Sequence, residues 1–392
     1  MKYFKLVPAI KGFQSSQHLN MLRGLSALEV CAGHLRNLFF VDYLEVDSKN
    51  FLIKILYYIT GFGHQAVVLF FVLSGFFISS SVIKSQNDNK WSWSYYLINR
   101  LSRLYIVLIP ALLIGGLWDY LGINIFGKNT IYGGQAFGAN IGGGSNISDQ
   151  LNLLTFLGNL TFLQNIKVPT FGSNSALWSL NYEFWYYLLF PLILLMLAKY
   201  TPFKVRLIYT LLTISIFILV GQSIIIYFLI WLMGTLISVS GYFVINQHKK
   251  IFYYLYLAVS LALFVGSLAI SRVGLISSSL ISDFVIGISS TVFIYTLLQD
   301  KSPSQSGIYN TLVDKLSGFS YTLYLVHLPL LVFCQAWFIH NQRWQPNMMY
   351  LGAGIIMLAI IILYAFLISS VTEAKTEDMR KYLTFWLVKK LN

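Results

Sequence analysis

Residues 18–40 read HLNMLRGLSALEVCAGHLRNLFF, a mainly apolar stretch long enough to cross a membrane as one helix. Beyond His18 at its start, it carries four basic or acidic side chains, each costly in hydrocarbon unless it faces protein, water or a ligand: Arg23, Glu29, His34 and Arg36. On a helix, Arg23 and His34 share a face and lie about 16 Å apart along it. This segment therefore predicts a membrane helix that takes part in chemistry rather than a passive anchor.

Composition defines the class of protein around this helix. The 392 residues are 57% hydrophobic and 10% charged, with a mean hydropathy of +0.67, which excludes a water-soluble globule with a polar surface. The formal charge of +13 comes from basic residues placed between apolar runs, so nucleic acid is not an expected partner. Cys31 and Cys334 both fall in predicted spans, and neither a disulfide framework nor a metal site is expected.

Apolar runs along the chain predict an all-α fold, a polytopic transmembrane bundle of about ten helices. Two of them are expected to meet in a tight turn at Gly221. Residues 122–175 form a long excursion with a Gly-rich middle, residues 133–146, and a short apolar piece that dips into the membrane or lies along it. The expected spans are residues 18–40, 61–82, 104–122, 176–200, 205–220, 222–244, 251–270, 275–298, 316–339 and 348–371.

Basic residues give the expected orientation. With the N-terminus inside and ten spans, 20 of the 27 Lys and Arg residues fall on the cytoplasmic side and 7 fall outside. Both termini are therefore expected in the cytoplasm, and the long excursion outside. Residues 1–372 then form one transmembrane domain, followed by a basic tail, residues 373–392, that suits an interfacial helix. The seven outer residues are Arg36, Lys49, Lys54, Lys128, Lys167, Arg272 and Arg343.

Arg100 and Arg103 lie one helical turn apart at the expected cytoplasmic start of the third span. Two guanidiniums at this spacing can hold one anion. The same pattern is typical of positive-inside anchors whose heads reach lipid phosphate. Because Arg23 is expected at the same membrane level, the three arginines together favour a phosphate-binding mouth.

Residues 176–187, ALWSLNYEFWYY, place Glu183 among aromatic side chains at the outer start of the fourth span. Most of these aromatics are typical of an interfacial belt. A carboxylate in apolar surroundings suits general acid/base work or the orientation of a histidine. The alternative is a structural ion pair with Arg36, which is expected at the same level.

Two further histidines lie in or beside spans. His327 in YTLYLVHLP has Tyr324 one turn before it, and the alternative to a functional role is a hydrogen bond to a neighbouring helix. His64 opens the second span and is either a supporting residue or only interfacial. The LSGFF stretch, residues 73–77, supplies small residues for close helix approach.

Five motifs, in this order, resemble those of the acyltransferase 3 family of bacterial integral-membrane acyltransferases: RGLSALEVCAGH, GHQAVVLFFVLSGFF, RLSRLY, ALWSLNYEFWY and SYTLYLVHLPL. The resemblance covers almost the whole chain. It implies transfer of an acyl group, usually acetyl, from cytoplasmic acyl-coenzyme A to a sugar hydroxyl on the far side of the membrane. The matching positions are Arg23 and His34 for the family's Arg/His pair, Arg100 and Arg103 for its Arg-x-x-Arg motif, and Glu183 for its Trp-Ser-Leu-x-x-Glu motif.

The resemblance and the residues together predict a mechanism. Making an ester from a thioester needs a base for the hydroxyl proton, and histidine suits that task near neutral pH. His34 is the expected base, and Glu183 is expected to fix its tautomer and to stabilise the imidazolium. Coenzyme phosphates are expected at Arg23, Arg100 and Arg103, with the pantetheine arm reaching between helices toward His34.

The other expected participants follow from the same reasoning. A supporting or substrate-binding role is expected for His64, Trp178, Tyr324 and His327. Acetyl-coenzyme A is the expected donor, with no permanently bound cofactor. The expected acceptor is a glycan or lipid-linked sugar, such as a surface polysaccharide or lipopolysaccharide, at the bacterial inner membrane. The other expected partners are membrane lipids.

The chain departs from the family pattern at three points. Val68 stands where many members carry Asp, just after His64 and Gln65. Glu29 is not part of the motif, and an ion pair with Arg36, seven residues on, is the one role offered for it. Many relatives fuse a soluble SGNH hydrolase-like domain after the last span, so the membrane-only form is expected here.

Two other classes of function compete with the enzyme. A transporter of a glycan-linked or anionic solute also needs a polar path and a basic mouth, but no inverted repeat is evident between the halves. A non-catalytic membrane scaffold leaves the intramembrane His34 and Glu183 unexplained. Turnover of acetyl-coenzyme A by purified protein supports the enzyme, and solute flux without turnover supports the transporter.

Overall fold

The computed structural model describes residues 12–127, 129–133, 146–241, 250–339 and 342–389. The described residues are 80% helix and contain no β-strand, which confirms the all-α fold. Their α-helices are α1 Gln14–Phe39, α2 Phe51–Ile59, α3 Gly63–Asn87, α4 Trp93–Phe126, α5 Ile147–Gln150, α6 Leu153–Leu160, α7 Trp178–Leu197, α8 Phe203–Val239, α9 Lys250–Val273, α10 Ser279–Leu297, α11 Ile308–Gly318, α12 Ser320–Phe338, α13 Met348–Val371 and α14 Thr376–Thr384.

Eight helical stretches of the described residues are long and apolar enough to cross a membrane. The expected count of ten is not confirmed. α1 has the length, 26 residues, but its ionisable side chains lower its hydropathy and it is not among the eight. α8, expected as two spans, is a stretch of 37 residues that consists of two helical pieces joined at Gly221. The eight are Phe51–Asn87, Trp93–Phe126, Ser175–Leu197, Phe203–Val239, Ile251–Val273, Ser279–Leu297, Ser320–Phe338 and Met348–Leu387.

The helical geometry of α8 is interrupted where the sequence places a turn. Gly221 has φ 78° and ψ 176°, a backbone conformation that only glycine adopts readily. The helical pieces on either side each contain about 18 residues, or about 27 Å of helix. A break at Gly221 is therefore confirmed, within an element that is otherwise continuous.

The chain forms two compact units, the first of which comprises the described residues of Met1–Arg23, His64–Ser92 and Tyr182–Asp314. In this unit α10 packs against α8 and α9. Its core is aromatic, with Trp231 and Tyr186 both fully buried. The Tyr186 hydroxyl donates to the Ile224 carbonyl at 2.8 Å, so the ring also ties α7 to the backbone of α8.

Close packing of α3 on α8 in the first unit confirms the role expected for the LSGFF stretch. A Cβ added at Gly75 would collide with the carbonyl of Trp231, and one added at Gly234 would collide with the carbonyl of Val72. The hydroxyls of Ser79 and Ser238 are also hydrogen-bonded across this crossing. Small residues on both helices let the two backbones touch.

The second unit comprises the described residues of Gly24–Gly63, Trp93–Asn181 and Lys315–Asn392. Its α12 is 78% buried over its most apolar stretch and packs against α4 and α13. Pro329 inside α12 lies against Gly115 of α4, where an added Cβ would come within 3.0 Å of the proline ring. The absence of a side chain on Gly115 allows this close approach.

The second half of the long excursion is attached to α4. Asp119 of α4 is 1% exposed and accepts hydrogen bonds from the Ser173 backbone N–H and hydroxyl, both at 2.7 Å. The short apolar piece forms α6, which exposes Leu153 and Leu154. Residues 134–145, most of the Gly-rich middle, lie outside the described residues.

The tail is helical, as expected: α14 lies within it and packs against α4. Its interfacial position, and the division into a domain of residues 1–372 and a tail of residues 373–392, remain predictions.

Candidate active site

His34 and His327 form a pair inside the second unit. Nδ1 of His34 lies 2.8 Å from Nε2 of His327, and the rings are nearly parallel, at 11° to each other. His34 is half-buried, whereas His327 is 0% exposed. Nδ1 of His327 lies 2.9 Å from the Leu323 carbonyl oxygen, one turn back in α12. The expected base thus has an imidazole partner, from α12.

The surroundings of the pair are built by α12 and the start of α7. The Tyr324 ring lies 6.3 Å from the His327 ring, and its hydroxyl lies 2.6 Å from the Ser179 hydroxyl. The Asn174 side chain donates to the Leu325 carbonyl at 2.8 Å. Trp178, next to Ser179, is half-buried and begins α7. These contacts hold the His327 segment in place.

Glu183 lies in the first unit, on α7, and is half-buried. Its carboxylate accepts a hydrogen bond from the Ser74 hydroxyl at 3.0 Å and another from the Tyr187 hydroxyl. The Trp231 indole N–H donates to Ser74 Oγ at 3.2 Å. Ser74 of the LSGFF stretch therefore does more than allow close packing. The expected role of Glu183 toward His34 remains a prediction, because the two residues belong to different units.

His64 belongs to a carboxylate-centred cluster in the first unit. Its Nε2 lies 2.9 and 3.0 Å from the two carboxylate oxygens of Asp283, which also accepts from the Tyr227 hydroxyl. The His64 side chain is 46% exposed and that of Asp283 is 3% exposed. Sequence reasoning missed Asp283 and Tyr227, although a lone aspartate inside an expected span was an available signal.

The arginines divide between the units. Arg100 and Arg103 both lie on α4, one turn apart as expected. Arg100 is half-buried with its guanidinium 5.4 Å from the centre of the Tyr96 ring, whereas Arg103 is exposed. Arg23 lies on α1 within the first unit. A shared phosphate site for the three arginines remains a prediction.

Glu29 has a structural contact that the sequence did not suggest. Its carboxylate accepts the Phe62 backbone N–H at 2.8 Å, next to the first turn of α3. Arg36 lies with its guanidinium 5.1 Å from the centre of the Tyr57 ring and donates to the Thr60 carbonyl at 3.5 Å. Both side chains tie α1 to the segment that precedes α3. The suggested ion pair between them remains a prediction.

No cluster of three or more His, Cys, Asp or Glu side chains with metal-binding geometry occurs in the described part of the chain. The polar groups brought together are instead two imidazoles in one unit and an imidazole, a carboxylate and a phenol in the other. Such groups bind and move protons.

Comparisons with known proteins give the class. Residues 17–366 match the acyltransferase 3 family, described as an acyltransferase domain. A helical bundle with eight candidate membrane spans and this match define an integral-membrane acyltransferase. The chain belongs to the acyltransferase 3 family, as the five motifs predicted. No curated protein matches it, and no solved structure matches it.

Proposed function

We propose that the protein transfers an acyl group, with acetyl as the expected one, from cytoplasmic acyl-coenzyme A to a hydroxyl of an extracytoplasmic glycan. The observation that carries the proposal is the imidazole pair of His34 and His327 within an acyltransferase of the membrane. An imidazole held in place by a second polar group suits a general base. His34, with Nδ1 2.8 Å from Nε2 of His327, meets that description.

In the proposed acyl transfer, His34 acts as the base. The hydroxyl O–H bond breaks and its proton goes to His34. The oxygen electron pair forms the ester bond to the acyl carbon while the C–S bond breaks, and the proton then passes to the coenzyme A thiolate. An imidazole can accept and release a proton at its ring nitrogens, so His34 can perform both transfers.

The donor is proposed to bind through its phosphates to Arg100 and Arg103, with Arg23 contributing. Two guanidiniums on one helix face suit phosphate oxygens, because each presents a planar fork of N–H donors. The exposure of Arg103 is compatible with a site at the membrane surface. The distribution of basic residues supports a cytoplasmic mouth and an outer acceptor, at a bacterial inner membrane.

The first test uses purified protein in lipid nanodiscs with acetyl-coenzyme A and a panel of sugars. We expect release of the coenzyme A thiol that depends on the sugar, and an acetylated sugar by mass spectrometry. Reproducible solute flux without turnover would instead support a transporter. Mass spectrometry of surface glycans from cells with and without the gene then identifies the acceptor.

A second test addresses the orientation. Cysteines introduced near Gly143 should react with an impermeant thiol reagent added outside intact cells, and cysteines near Lys249 should not. Gly143 and Lys249 lie outside the described residues. Reversed labelling would mean that the proposed binding site for the acyl-coenzyme A phosphates does not face the cytoplasm. The native Cys31 and Cys334 are a small background, because Cys31 is buried and Cys334 is half-buried.

A further inference from the structure

The partners of His327 determine which atom is the donor in each of its hydrogen bonds. Its Nδ1 contacts the Leu323 carbonyl, and a carbonyl only accepts, so Nδ1 carries a hydrogen. The ring is 0% exposed, and both nitrogens bond to groups without charge, so we take it as neutral. The Nε2 of a neutral ring with a hydrogen on Nδ1 is a lone-pair acceptor.

The direction of the next bond follows. Since Nε2 of His327 accepts, the hydrogen of the 2.8 Å contact must come from Nδ1 of His34. A neutral His34 then keeps its lone pair on Nε2. The chain of bonds from the Leu323 carbonyl therefore selects one tautomer of His34 and one nitrogen as its basic atom.

We infer that His327 is the positioning residue for His34: its neutral imidazole accepts the Nδ1 hydrogen of His34 and leaves Nε2 of His34 as the atom that takes the acceptor proton. This inference rests on the proposed acyl transfer and adds to it the orientation of the base. A carboxylate performs this task in Ser-His-Asp triads. Because Nδ1 of His34 is already bonded to His327, Glu183 is not needed to fix the tautomer.

A neutral partner has a physical advantage in this location. A carboxylate within a membrane helix bundle is costly while the base is uncharged, because nothing then balances its charge. Two imidazoles carry no charge until His34 takes a proton. The new positive charge is then shared along the Nδ1–H bond with Nε2 of His327, so the pair stabilises the imidazolium without a resident anion.

The first experiment observes the hydrogen directly and needs no turnover. Protein labelled with ¹⁵N-histidine and reconstituted in lipid is studied by solid-state NMR, and the His34 signals are assigned by their loss in His34→Ala. At neutral pH we expect the hydrogen on Nδ1 and a bare Nε2, since protonated and bare nitrogens differ widely in ¹⁵N shift. A hydrogen on Nε2 with Nδ1 bare would overturn the inference.

The second experiment compares three variants on α12. His327→Leu removes the acceptor, and kcat should fall toward the about 10²- to 10⁴-fold loss of removing a general base, with KM for acetyl-coenzyme A unchanged. His327→Gln supplies an amide oxygen that can accept the same hydrogen, so kcat should recover to within about tenfold of wild type. Gln335→Leu, which removes another buried amide from the same helix, is the control and should keep wild-type kcat.

The outcomes separate the inference from the proposed function. Equal losses in folded His327→Leu and His327→Gln would mean that His327 only fills space. Wild-type kcat in His327→Leu would also overturn the inference. If the wild-type protein transfers no acyl group at all, the proposed function is wrong, while the position of the hydrogen on His34 still decides the inference by NMR.

Discussion

Gly75→Ala tests the contact between α3 and α8 that supports the Glu183 site. The added methyl group would meet the Trp231 carbonyl and the backbone of Gly234. Backbone atoms cannot rotate away as the end of a side chain can, so the two helices must separate. Inserting a methyl group into such a contact costs about 1–3 kcal/mol.

Gly266→Ala is the matched control. Gly266 also lies inside a helix of the first unit, on α9, and an added Cβ there would meet nothing within 4 Å. Both substitutions gain the same helix propensity, about 1 kcal/mol. The difference in unfolding free energy between the two variants therefore isolates the collision, and we expect Gly75→Ala to be less stable by about 1–3 kcal/mol.

The assay is denaturant titration of both variants in the same detergent, followed by tryptophan fluorescence. Equal stability of the two variants would refute the assigned packing of α3 on α8.

Two further predictions concern charged groups. Arg100→Ala and Arg103→Ala should raise KM for acetyl-coenzyme A more than they lower kcat, because phosphate contacts chiefly supply ground-state affinity. Lysine at either position should restore KM only in part, since it lacks the planar fork of donors. An unchanged KM in steady-state kinetics would mean that both residues are membrane anchors. His64→Ala should lower the unfolding free energy by about 1–3 kcal/mol, since buried Asp283 loses a partner, while Asp283→Asn should cost less because its amide oxygen still accepts. If thermal unfolding shows that Asp283→Asn is less stable than His64→Ala, this account of the cluster is contradicted.

Local features of the fold could be predicted from the sequence. Apolar runs predicted the helices, a glycine predicted the break at Gly221, and small residues predicted the close crossing at Gly75. The count of ten spans stays a prediction, because a helix with several ionisable side chains, such as α1, is not apolar enough to be counted as a span by composition alone.

The sequence could not predict which residues meet across long sequence separations. His34 and His327 are 293 positions apart and His64 and Asp283 are 219 apart, and no local pattern encodes which helices meet. For His327 the sequence offered a hydrogen bond to a neighbouring helix as one alternative, without naming the partner. The carboxylate that it offered to His34, Glu183, stays a prediction. The structure gives His34 an imidazole partner and His64 a carboxylate partner, and the sequence suggested neither contact.

Transfer by His34→Ala tests the central claim most directly. The variant should insert and fold, and should bind coenzyme A with wild-type affinity by isothermal titration calorimetry in nanodiscs. Its acyl transfer from acetyl-coenzyme A should fall by at least about 10²- to 10⁴-fold, the usual effect of removing a general base. Near wild-type transfer by folded His34→Ala would contradict the account and leave the base to be sought at His64.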